Sequence, residues 1–551
     1  MSRDREKASP GASGGVWLWL AYAALTLRAG FARAAGLDPT ALGQDDLWVG
    51  FLARHTEAGD LFTYHAPVPM GFLALLKATR WLVPDPELSL QIVPFICGLA
   101  VIPLSGWVTT RLTKRWELGL LAAVLVSLHP LAGLHSVRVK QFTWDAVVML
   151  GLLGFGLGRL EPGRPERPWL FAASAMVALA ASFNSIFAGA VLLHVRVLQA
   201  AAERSERPGV LGRAVASALA YDLFAVLLYY IRIRHQSAEW IVLYWQRHLA
   251  FPPATGLDPG WLLGALRRGY GVWMPRGLRP LALLAPIGFV TLLVRQPHRW
   301  QALAIAGLAV ALPTAALLFV YPFGGFRTDF YFQPLLAVLG AIGAGGLGAL
   351  VANALERVRP GGAKKRLLRS GIPLALTALL LAVPLPAGRY GTGKASSRNK
   401  DLVAVFDELA GSADLILLSP FSRWNIGYYT SRPIETRFQD PRERLLDFHF
   451  VEPPSRSFTG LNAVLDDPDL PDRVLLVALI ARPQIPDYVN AFRKRGFRLA
   501  GGRENDIGSS AVQLWVRRGR TRQLSPGVVS ERGPGRRSRQ RAPRPSSSPG
   551  P

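Results

Sequence analysis

The chain has 551 residues, half of them hydrophobic, and a mean hydropathy of +0.23. This composition excludes an ordinary water-soluble protein, and the repeated long apolar runs predict a polytopic α-helical membrane protein. The formal net charge of +26 does not indicate nucleic-acid binding, because the basic residues form short clusters between apolar runs and a tail rather than one face. The single cysteine, Cys97, excludes an intrachain disulfide, and its apolar surroundings make thiol catalysis unfavourable.

Twelve apolar segments along the chain predict membrane helices. Several are shorter than the ~20 residues of a simple crossing, so tilted or re-entrant pieces are expected and the total is about 11–13 helices. The first segment lacks a small-residue cleavage site and predicts an uncleaved first helix. The segments are residues 16–34, 67–83, 88–110, 116–133, 142–158, 169–183, 185–201, 214–231, 280–294, 300–321, 329–352 and 370–388.

Basic clusters predict the orientation in the membrane, since Lys and Arg are enriched in cytoplasmic loops. The first external loop is then 35–66, the loops 232–279 and 322–328 are also outside, and so is everything after residue 388. The stretch between two inner clusters must cross twice, with a break near Asn184. With 35–66 outside and 111–115 inside, residues 67–110 must cross the membrane an odd number of times. They contain two apolar runs, so one run is expected to be interfacial or re-entrant. The clusters are 111–115, 159–168, 203–213, 295–299 and 356–369.

The composition changes after residue 388. Residues 1–388 form the predicted transmembrane domain, whereas 389–520 predict a small C-terminal extracytoplasmic α/β domain. Within it, helical spacing of apolar residues runs from Leu402 to Leu409, and a second helix is predicted at 488–495. Residues 521–551 are rich in Pro, Ser, Gly and Arg and predict a disordered basic tail without a function of its own. The predicted strands are 413–418, 474–480 and 511–516.

Four stretches, in this order, resemble the GT-C superfamily of integral-membrane glycosyltransferases. They are QDDLW at 44–48, YHAPVPMGFLALLKA at 64–78, SLHPLAGLHSVRVKQFTWDAVVMLGLL at 127–153 and YPFGGFRTDFYFQPLLAVLG at 321–340. The likeness is to the family-39-like group, which includes protein O-mannosyltransferases and lipid A aminoarabinose transferases. It covers roughly residues 16–350, and its strength lies in the order of the motifs. The family usually has Asp-Glu where this chain has Asp45-Asp46.

The resemblance implies a multi-pass enzyme of the bacterial inner membrane whose catalytic side is extracytoplasmic. It implies a donor sugar carried on polyprenyl phosphate, and an inverting transfer in which an acidic residue of the first loop is the base. The acceptor could be a lipid, a glycan or a protein, and the sugar is not identified. No cofactor is certain, but Asp45 and Asp46 could hold Mg²⁺ or Mn²⁺, since carboxylates suit both ions.

Asp45 and Asp46 are the candidate catalytic residues. A carboxylate beside a low-dielectric surface can accept the acceptor's proton; the alternative is an acidic pair that caps the helical run from Leu47 to Leu52. Adjacent helical residues point about 100° apart, so the two are not expected to share one role. The family pattern favours Asp45 as the base.

Arg138, Lys140 and Arg327 are the candidates for the donor phosphate. Fixed cations stabilise the charge that develops on a leaving phosphate, and the guanidinium fork of Arg suits it. The alternative for Arg138 and Lys140, and for the nearby His135, is a snorkelling side chain at a helix end. Arg327 and Asp329 follow two glycines, and the alternative for Arg327 is an interfacial anchor.

Four other features carry weaker expectations. Asp145 is predicted to form a structural ion pair with Arg138 or Lys140. The intramembrane Asp222 is expected to be satisfied by Arg232 or a tyrosine. His55 and His65 lack metal-ligand spacing. The glycine-rich run from 340 to 348 lies inside a span and predicts helix packing by small residues.

Two other functions remain open at this stage. A transporter or flippase of lipid-linked saccharides would share the polytopic body, but the chain shows no internal repeat of broken helices. A non-catalytic assembly partner is disfavoured by the acidic pair and Arg138. The absence of a Walker-type phosphate loop and of a Cys/His cluster argues against an ATP-driven pump and a zinc enzyme.

Overall fold

The apolar runs of the N-terminal part form helices in the computed structural model of this protein. The chain divides into two units, Met1–Ser397 and Arg398–Pro551. The structure describes residues 12–38, 42, 44–55, 68–160, 167–203, 209–233, 245–246, 249–253, 258–273, 276–294, 298–324, 329–358, 362–385, 393–419, 422–430, 443–445, 461, 464–479, 485–504 and 510–517.

The described residues of the first unit form helices joined by short turns. Short 3₁₀ segments, Arg276–Leu283 and Phe330–Phe332, precede two of the helices, and a π-helical turn, Tyr229–Ile233, extends a third. The helices are α1 (Ala12–Ala34), α2 (Gln44–His55), α3 (Met70–Leu82), α4 (Pro86–Thr113), α5 (Trp116–Ser127), α6 (Pro130–Ser136), α7 (Phe142–Arg159), α8 (Pro168–Ala181), α9 (Ser185–Ala202), α10 (Val210–Leu228), α11 (Pro259–Trp273), α12 (Leu284–Val294), α13 (Arg299–Leu317), α14 (Gln333–Val358) and α15 (Gly362–Leu381).

Within the described ranges, six helical segments are long and apolar enough to cross a membrane, and a seventh arises if α5 and α6, which are bent by 64°, form one span. This count is below the 11–13 expected from the sequence, because several apolar runs fold as shorter helices. Large apolar side chains such as Val177, Leu223 and Val294 are exposed on the outside of the unit, as expected for helices surrounded by lipid. The protein is therefore an integral, multi-pass membrane protein.

The two apolar runs between residues 67 and 110 differ in length. Helix α4 has 28 residues, whereas α3 has 13 and is about 20 Å long, shorter than the ~30 Å hydrocarbon core. Near the end of α3, Trp81 is 91% exposed. Helix α3 is thus the run that suits an interfacial or re-entrant position. The predicted break near Asn184 is present, since α8 ends at Ala181 and α9 begins at Ser185.

Helix α5 lies at the centre of the unit. Its residues from Glu117 to Ser127 are almost all buried, and it packs against α4 and α14. A helix that is apolar on all sides requires neighbours on all sides. The glycine-rich run of α14 serves close packing, as predicted: a Cβ on Gly343 would overlap the carbonyl oxygen of Leu284, and one on Gly288 would overlap that of Leu339.

The described residues of the second unit form a five-stranded mixed sheet in the order β2-β1-β3-β5-β4. Strand β1 is parallel to β2 and β3, and β5 is antiparallel to β3 and β4. Alternating residues divide the core into two clusters: Ile416 and Val477 lie in the same cluster as Phe406, whereas Leu417 and Leu476 lie with Phe492. The elements are α16 (Gly393–Leu409), which begins in the first unit, β1 (Leu415–Leu418), α17 (Ser422–Tyr429), β2 (Glu443–Leu445), β3 (Arg473–Ala478), α18 (Ile485–Lys494), β4 (Phe497–Glu504) and β5 (Ala511–Arg517).

Candidate active site

The first-loop helix is joined to the segment before α7 by an ion pair. Nε of Arg138 lies 2.9 Å from Oδ2 and 3.1 Å from Oδ1 of Asp46. The Asp46 carboxylate is 2% exposed and the Arg138 side chain 20%. A buried carboxylate needs a compensating charge, and this guanidinium provides it. Asp45 lies one residue earlier in α2, and its side chain is outside the described part of the structure.

Lys140 makes a second contact between the same two segments. Its Nζ lies 4.2 Å from the centre of the Trp48 ring, a cation–π contact, and the side chain is buried. The backbone N–H of Lys140 donates to the carbonyl of Arg138 over 2.7 Å, which tightens the turn that carries both basic residues. Two predicted phosphate-binding residues and one member of the acidic pair are therefore neighbours in the fold.

The second and fourth stretches of the family resemblance also adjoin this region. The carbonyl oxygen of Ala53, near the end of α2, accepts hydrogen bonds from Lys77 and Arg80 of α3, over 3.4 Å and 3.1 Å. The His135 ring in α6 packs on Phe330, with centroids 5.0 Å apart. The four stretches are spread over residues 44–340 of the sequence. In the fold they are linked to one another by contacts that run through α2 and α6.

Asp145 does not form the predicted ion pair with Arg138 or Lys140. Its two oxygens accept hydrogen bonds from Oγ of Ser182, over 2.6 Å, and Nδ2 of Asn184, over 2.7 Å. Arg138 pairs with Asp46 instead. The break between α8 and α9 places both donors beside the first turn of α7, so the carboxylate is satisfied by neutral groups. Ser182 and Asn184 were not predicted as partners of Asp145. The only signal for them in the sequence was the predicted helix break near Asn184.

The segment before α14 buries several polar groups. Oδ2 of Asp329 accepts a hydrogen bond from the N–H of Gly324 over 3.3 Å, and burial raises the Asp329 pKa to about 6. Gly324 adopts φ +77°, and a Cβ there would lie 2.7 Å from Cβ of Ala265, so glycine is required. Oδ1 of Asp329, the Tyr331 hydroxyl and the Gln333 amide have no partner among the described residues. Tyr331 and Gln333 were not predicted, although they lie in the fourth stretch.

The remaining predicted residues have different outcomes. Arg327, His55 and His65 lie outside what the structure describes, His55 by its side chain. Asp222 contacts Nε2 of His194 over 3.3 Å, a partner that was not predicted, and the side chain of Arg232 lies outside the described residues.

The described residues contain no group of three or more His, Cys, Asp or Glu side chains arranged to hold a metal ion. The Mg²⁺ or Mn²⁺ ion that Asp45 and Asp46 could share stays a prediction, because the side chain of Asp45 lies outside the described residues.

No protein-family model and no curated protein match the sequence. Solved structures do match. ArnT from Cupriavidus metallidurans bound to undecaprenyl phosphate superposes with a TM-score of 0.51 at 13% identity, over 92% of this chain and 98% of that chain.

Two further matches have TM-scores below 0.5. The apo form of the same ArnT gives 0.47 at 14% identity, over 92% of this chain and 98% of that one. The oligosaccharyltransferase of Archaeoglobus fulgidus with Zn and sulfate gives 0.49 at 12% identity, over 89% of this chain and 72% of that one. The fold predicted from the four stretches is confirmed: this chain has the fold of ArnT, and the described residues of its C-terminal part form a small mixed-sheet domain.

Proposed function

We propose that this protein is a glycosyltransferase that moves a sugar from a polyprenyl-phosphate-linked donor to an extracytoplasmic acceptor. The observation that carries the proposal is the contact of Asp46 with Arg138, which joins the first-loop acidic motif to the basic segment before α7. A carboxylate pair beside fixed cations supplies a base for the acceptor and a counter-charge for a phosphate leaving group. ArnT, whose fold this chain shares, was solved with undecaprenyl phosphate.

In the proposed reaction, Asp45 is the base. The carboxylate of Asp45 takes the proton of the acceptor hydroxyl as its oxygen forms a bond to the anomeric carbon. The bond from that carbon to the phosphate oxygen breaks, and its electron pair stays on the phosphate, so the configuration inverts. Asp46 is less suited to act as the base, because its carboxylate is buried and held by the guanidinium of Arg138.

Arg138 and Lys140 hold the donor phosphate in this proposal, with Arg327 as a third cation. A guanidinium has five N–H donors, and the contacts of Arg138 with Asp46 are made by Nε. Asp46 thereby fixes the orientation of Arg138, while the aromatic face of Trp48 holds Lys140. Preorganised cations need no rearrangement as the negative charge develops on the phosphate.

The buried polar groups before α14 supply a place for the sugar. Asp329 Oδ1, the Tyr331 hydroxyl and the Gln333 amide have no partner within the described residues, and buried polar groups are rarely left so in a finished structure. Sugar hydroxyls are both donors and acceptors and would satisfy them. Phe330, next to these residues, contacts His135 of α6, so the groups adjoin the segment that carries Arg138.

The test is transfer of a radiolabelled sugar from a polyprenyl-phosphate donor to acceptors in a bacterial membrane extract, catalysed by the purified protein in detergent. Detergent removes the two membrane sides, so a glycosyltransferase still forms labelled product, whereas a flippase forms none. The Asp45→Asn variant is the control for contaminating activity. Product formation that needs the wild-type protein supports the proposal. Its absence with every donor and extract, combined with donor translocation in liposomes, would favour a flippase.

A further inference from the structure

One face of α11 contacts two turns of the chain, one before the helix and one after it in the sequence. Trp261, Ala265 and Arg268 are four and three positions apart, so they lie on the same side of the helix. Trp261 and Ala265 are buried, and Arg268 is partly buried. This face of α11 is therefore packed against the rest of the first unit, whereas the neighbouring Leu263 is exposed.

The first turn contains Leu249, which precedes α11 and adopts φ +57°. The left-handed conformation is unfavourable for a residue with a Cβ, so it persists only where surrounding contacts hold it. Two side chains of α11 provide such contacts. The carbonyl oxygen of Leu249 accepts hydrogen bonds from Nε1 of Trp261 over 3.0 Å and from Nη2 of Arg268 over 2.5 Å.

The second turn contains Gly324, in the segment between α13 and α14. Its carbonyl oxygen accepts a hydrogen bond from Nε of Arg268 over 3.3 Å. Because a guanidinium is planar and its donors are fixed relative to one another, Arg268 sets the position of this carbonyl relative to that of Leu249. The backbone N–H of Phe323 also donates to the carbonyl of Ala250 over 2.8 Å. The two turns are thus held together, with one guanidinium bound to both.

Gly324 in turn holds a carboxylate of the proposed sugar pocket. Its N–H donates to Oδ2 of Asp329 over 3.3 Å, whereas Oδ1 has no partner among the described residues. Burial raises the pKa of Asp329, and the positive charge of Arg268 acts in the opposite direction. Arg268 therefore acts on Asp329 by two routes, through the backbone of Gly324 and through its charge.

We propose that Arg268 is a positioning residue for the donor sugar: by fixing Gly324 it holds Asp329 so that Oδ1 accepts a hydrogen bond from a sugar hydroxyl. This inference rests on the proposed function. Arg268 itself touches neither the sugar nor the phosphate, and α11 becomes the element that supports the sugar pocket. The competing explanation is that Arg268 only stabilises the turn at Leu249. The two explanations differ in whether the effect of Arg268 depends on Asp329.

The test is a double-mutant cycle with Arg268→Ala, Asp329→Asn and the double variant of the full chain, in the transfer assay with radiolabelled polyprenyl-phosphate sugars. Each single variant should raise the donor KM by about tenfold, the effect of losing a hydrogen bond to a charged group, with a smaller change in kcat. The double variant should raise KM no further than the weaker-binding single variant. Arg268→Lys, which keeps the charge but loses the fork, should give an intermediate KM.

Three results would overturn the proposal. The first is a wild-type KM in Arg268→Ala, and the second is a double variant in which the two effects on KM multiply. The third is weaker binding of sugar-free undecaprenyl phosphate by Arg268→Ala, measured by native mass spectrometry, since Arg268 would then bind the phosphate directly. The matched control is Arg267→Ala, which removes the exposed neighbouring arginine of α11 and should keep the wild-type KM.

The same cycle measured as melting temperature at pH 7.5 needs no substrate. Arg268→Ala should lower the melting temperature, and should lower it less in the Asp329→Asn background, where the carboxylate that its charge stabilises is absent. A wild-type protein that transfers no sugar would contradict the proposed function, whereas this stability cycle would still test the coupling. Equal shifts of the melting temperature in both backgrounds would show that Arg268 does not act on Asp329 and would overturn the inference.

Discussion

Nε of Arg138 lies 2.9 Å from Oδ2 of Asp46, although the two residues are 92 positions apart. This contact joins the first turn of the first-loop helix to the basic turn before α7. In this contact Asp46 is engaged as the partner of a cation. In the proposed mechanism Asp46 is a positioning residue for Arg138, and Asp45 is the base.

Arg138 is expected to be needed for both catalysis and stability. Arg138→Ala should reduce turnover per folded molecule by ~2–4 kcal/mol of transition-state stabilisation, and Arg138→Lys should reduce it partially, because the charge remains but the planar fork is lost. Arg138→Ala should also destabilise the fold by about 3–5 kcal/mol, since it removes the guanidinium that pairs with the buried Asp46.

Combining Arg138→Ala with Asp46→Asn separates the two effects. Removing both charges should restore much of the lost stability without restoring turnover, because the phosphate contact is still absent. Turnover normalised to folded protein is the measurement. Unaltered normalised turnover in Arg138→Ala would remove Arg138 from the site and leave it a structural residue.

Asp329 should make stability depend on pH. Its pKa is about 6 in the folded protein, raised by burial, and about 4 when unfolded. Since the folded pKa is the higher one, stability is full below about pH 4 and declines through pH 6, by roughly 2–3 kcal/mol. Asp329→Asn should therefore raise the melting temperature relative to wild type at pH 7.5 and do so much less at pH 4.5. The exposed Asp258→Asn controls for loss of one charge, and a pH-independent effect of Asp329→Asn would contradict the argument.

Gly343 should be intolerant of even a methyl group. Its Cβ would overlap the backbone of α12 at Leu284, so Gly343→Ala must push α12 and α14 apart. We expect a clear fall in melting temperature, with a cost of about 1–3 kcal/mol typical of overpacking. Gly371→Ala in α15 is the matched control, because a Cβ there meets no atom within 4 Å. Equal melting temperatures for the two variants would contradict the packing described for these helices.

The distribution of Lys and Arg predicts the orientation in the membrane. A cysteine introduced at Ser396 should react with an impermeant thiol reagent from outside intact cells, and one at Lys364 only after the membrane is opened. The native Cys97 is buried and gives a low background. Labelling of both positions from the same side would overturn the topology.

Much of the fold can be predicted from the sequence, because the lengths of the apolar runs and the positions of the basic clusters are local properties of the chain. The runs predict the helices, and the need to cross twice between two inner clusters predicts the break that the structure shows next to Asn184. Strand β4 was missed, since its residues, FRLAGGRE, are mostly exposed and lack alternating apolar positions. The partner of Asp145 was predicted wrongly because Ser182 and Asn184 reach it through helix packing, which no sequence spacing encodes.

The residues of the candidate site could be predicted from the sequence, but the pairing of Asp46 with Arg138 could not. The sequence places Asp46 and Arg138 at the same membrane face, yet nothing in it shows that α2 folds onto the turn before α7. The unpartnered groups of Tyr331 and Gln333 are recognisable only when their burial is known. Their positions in an aromatic-rich stretch gave no signal that separates a binding group from a packing group.

The central claim is that Asp45 deprotonates the acceptor, and turnover of Asp45→Asn tests it most directly. The substitution keeps the shape of the side chain but removes the base, so sugar transfer should fall by on the order of 10²–10⁴-fold while the melting temperature stays near wild type. Asp46→Asn, measured beside it, should retain more activity because it only loosens Arg138. Near-full transfer by Asp45→Asn would contradict the account. If Asp46→Asn were inactive at the same time, Asp46 rather than Asp45 would be the base. If both variants were active, the first loop would have no part in the chemistry.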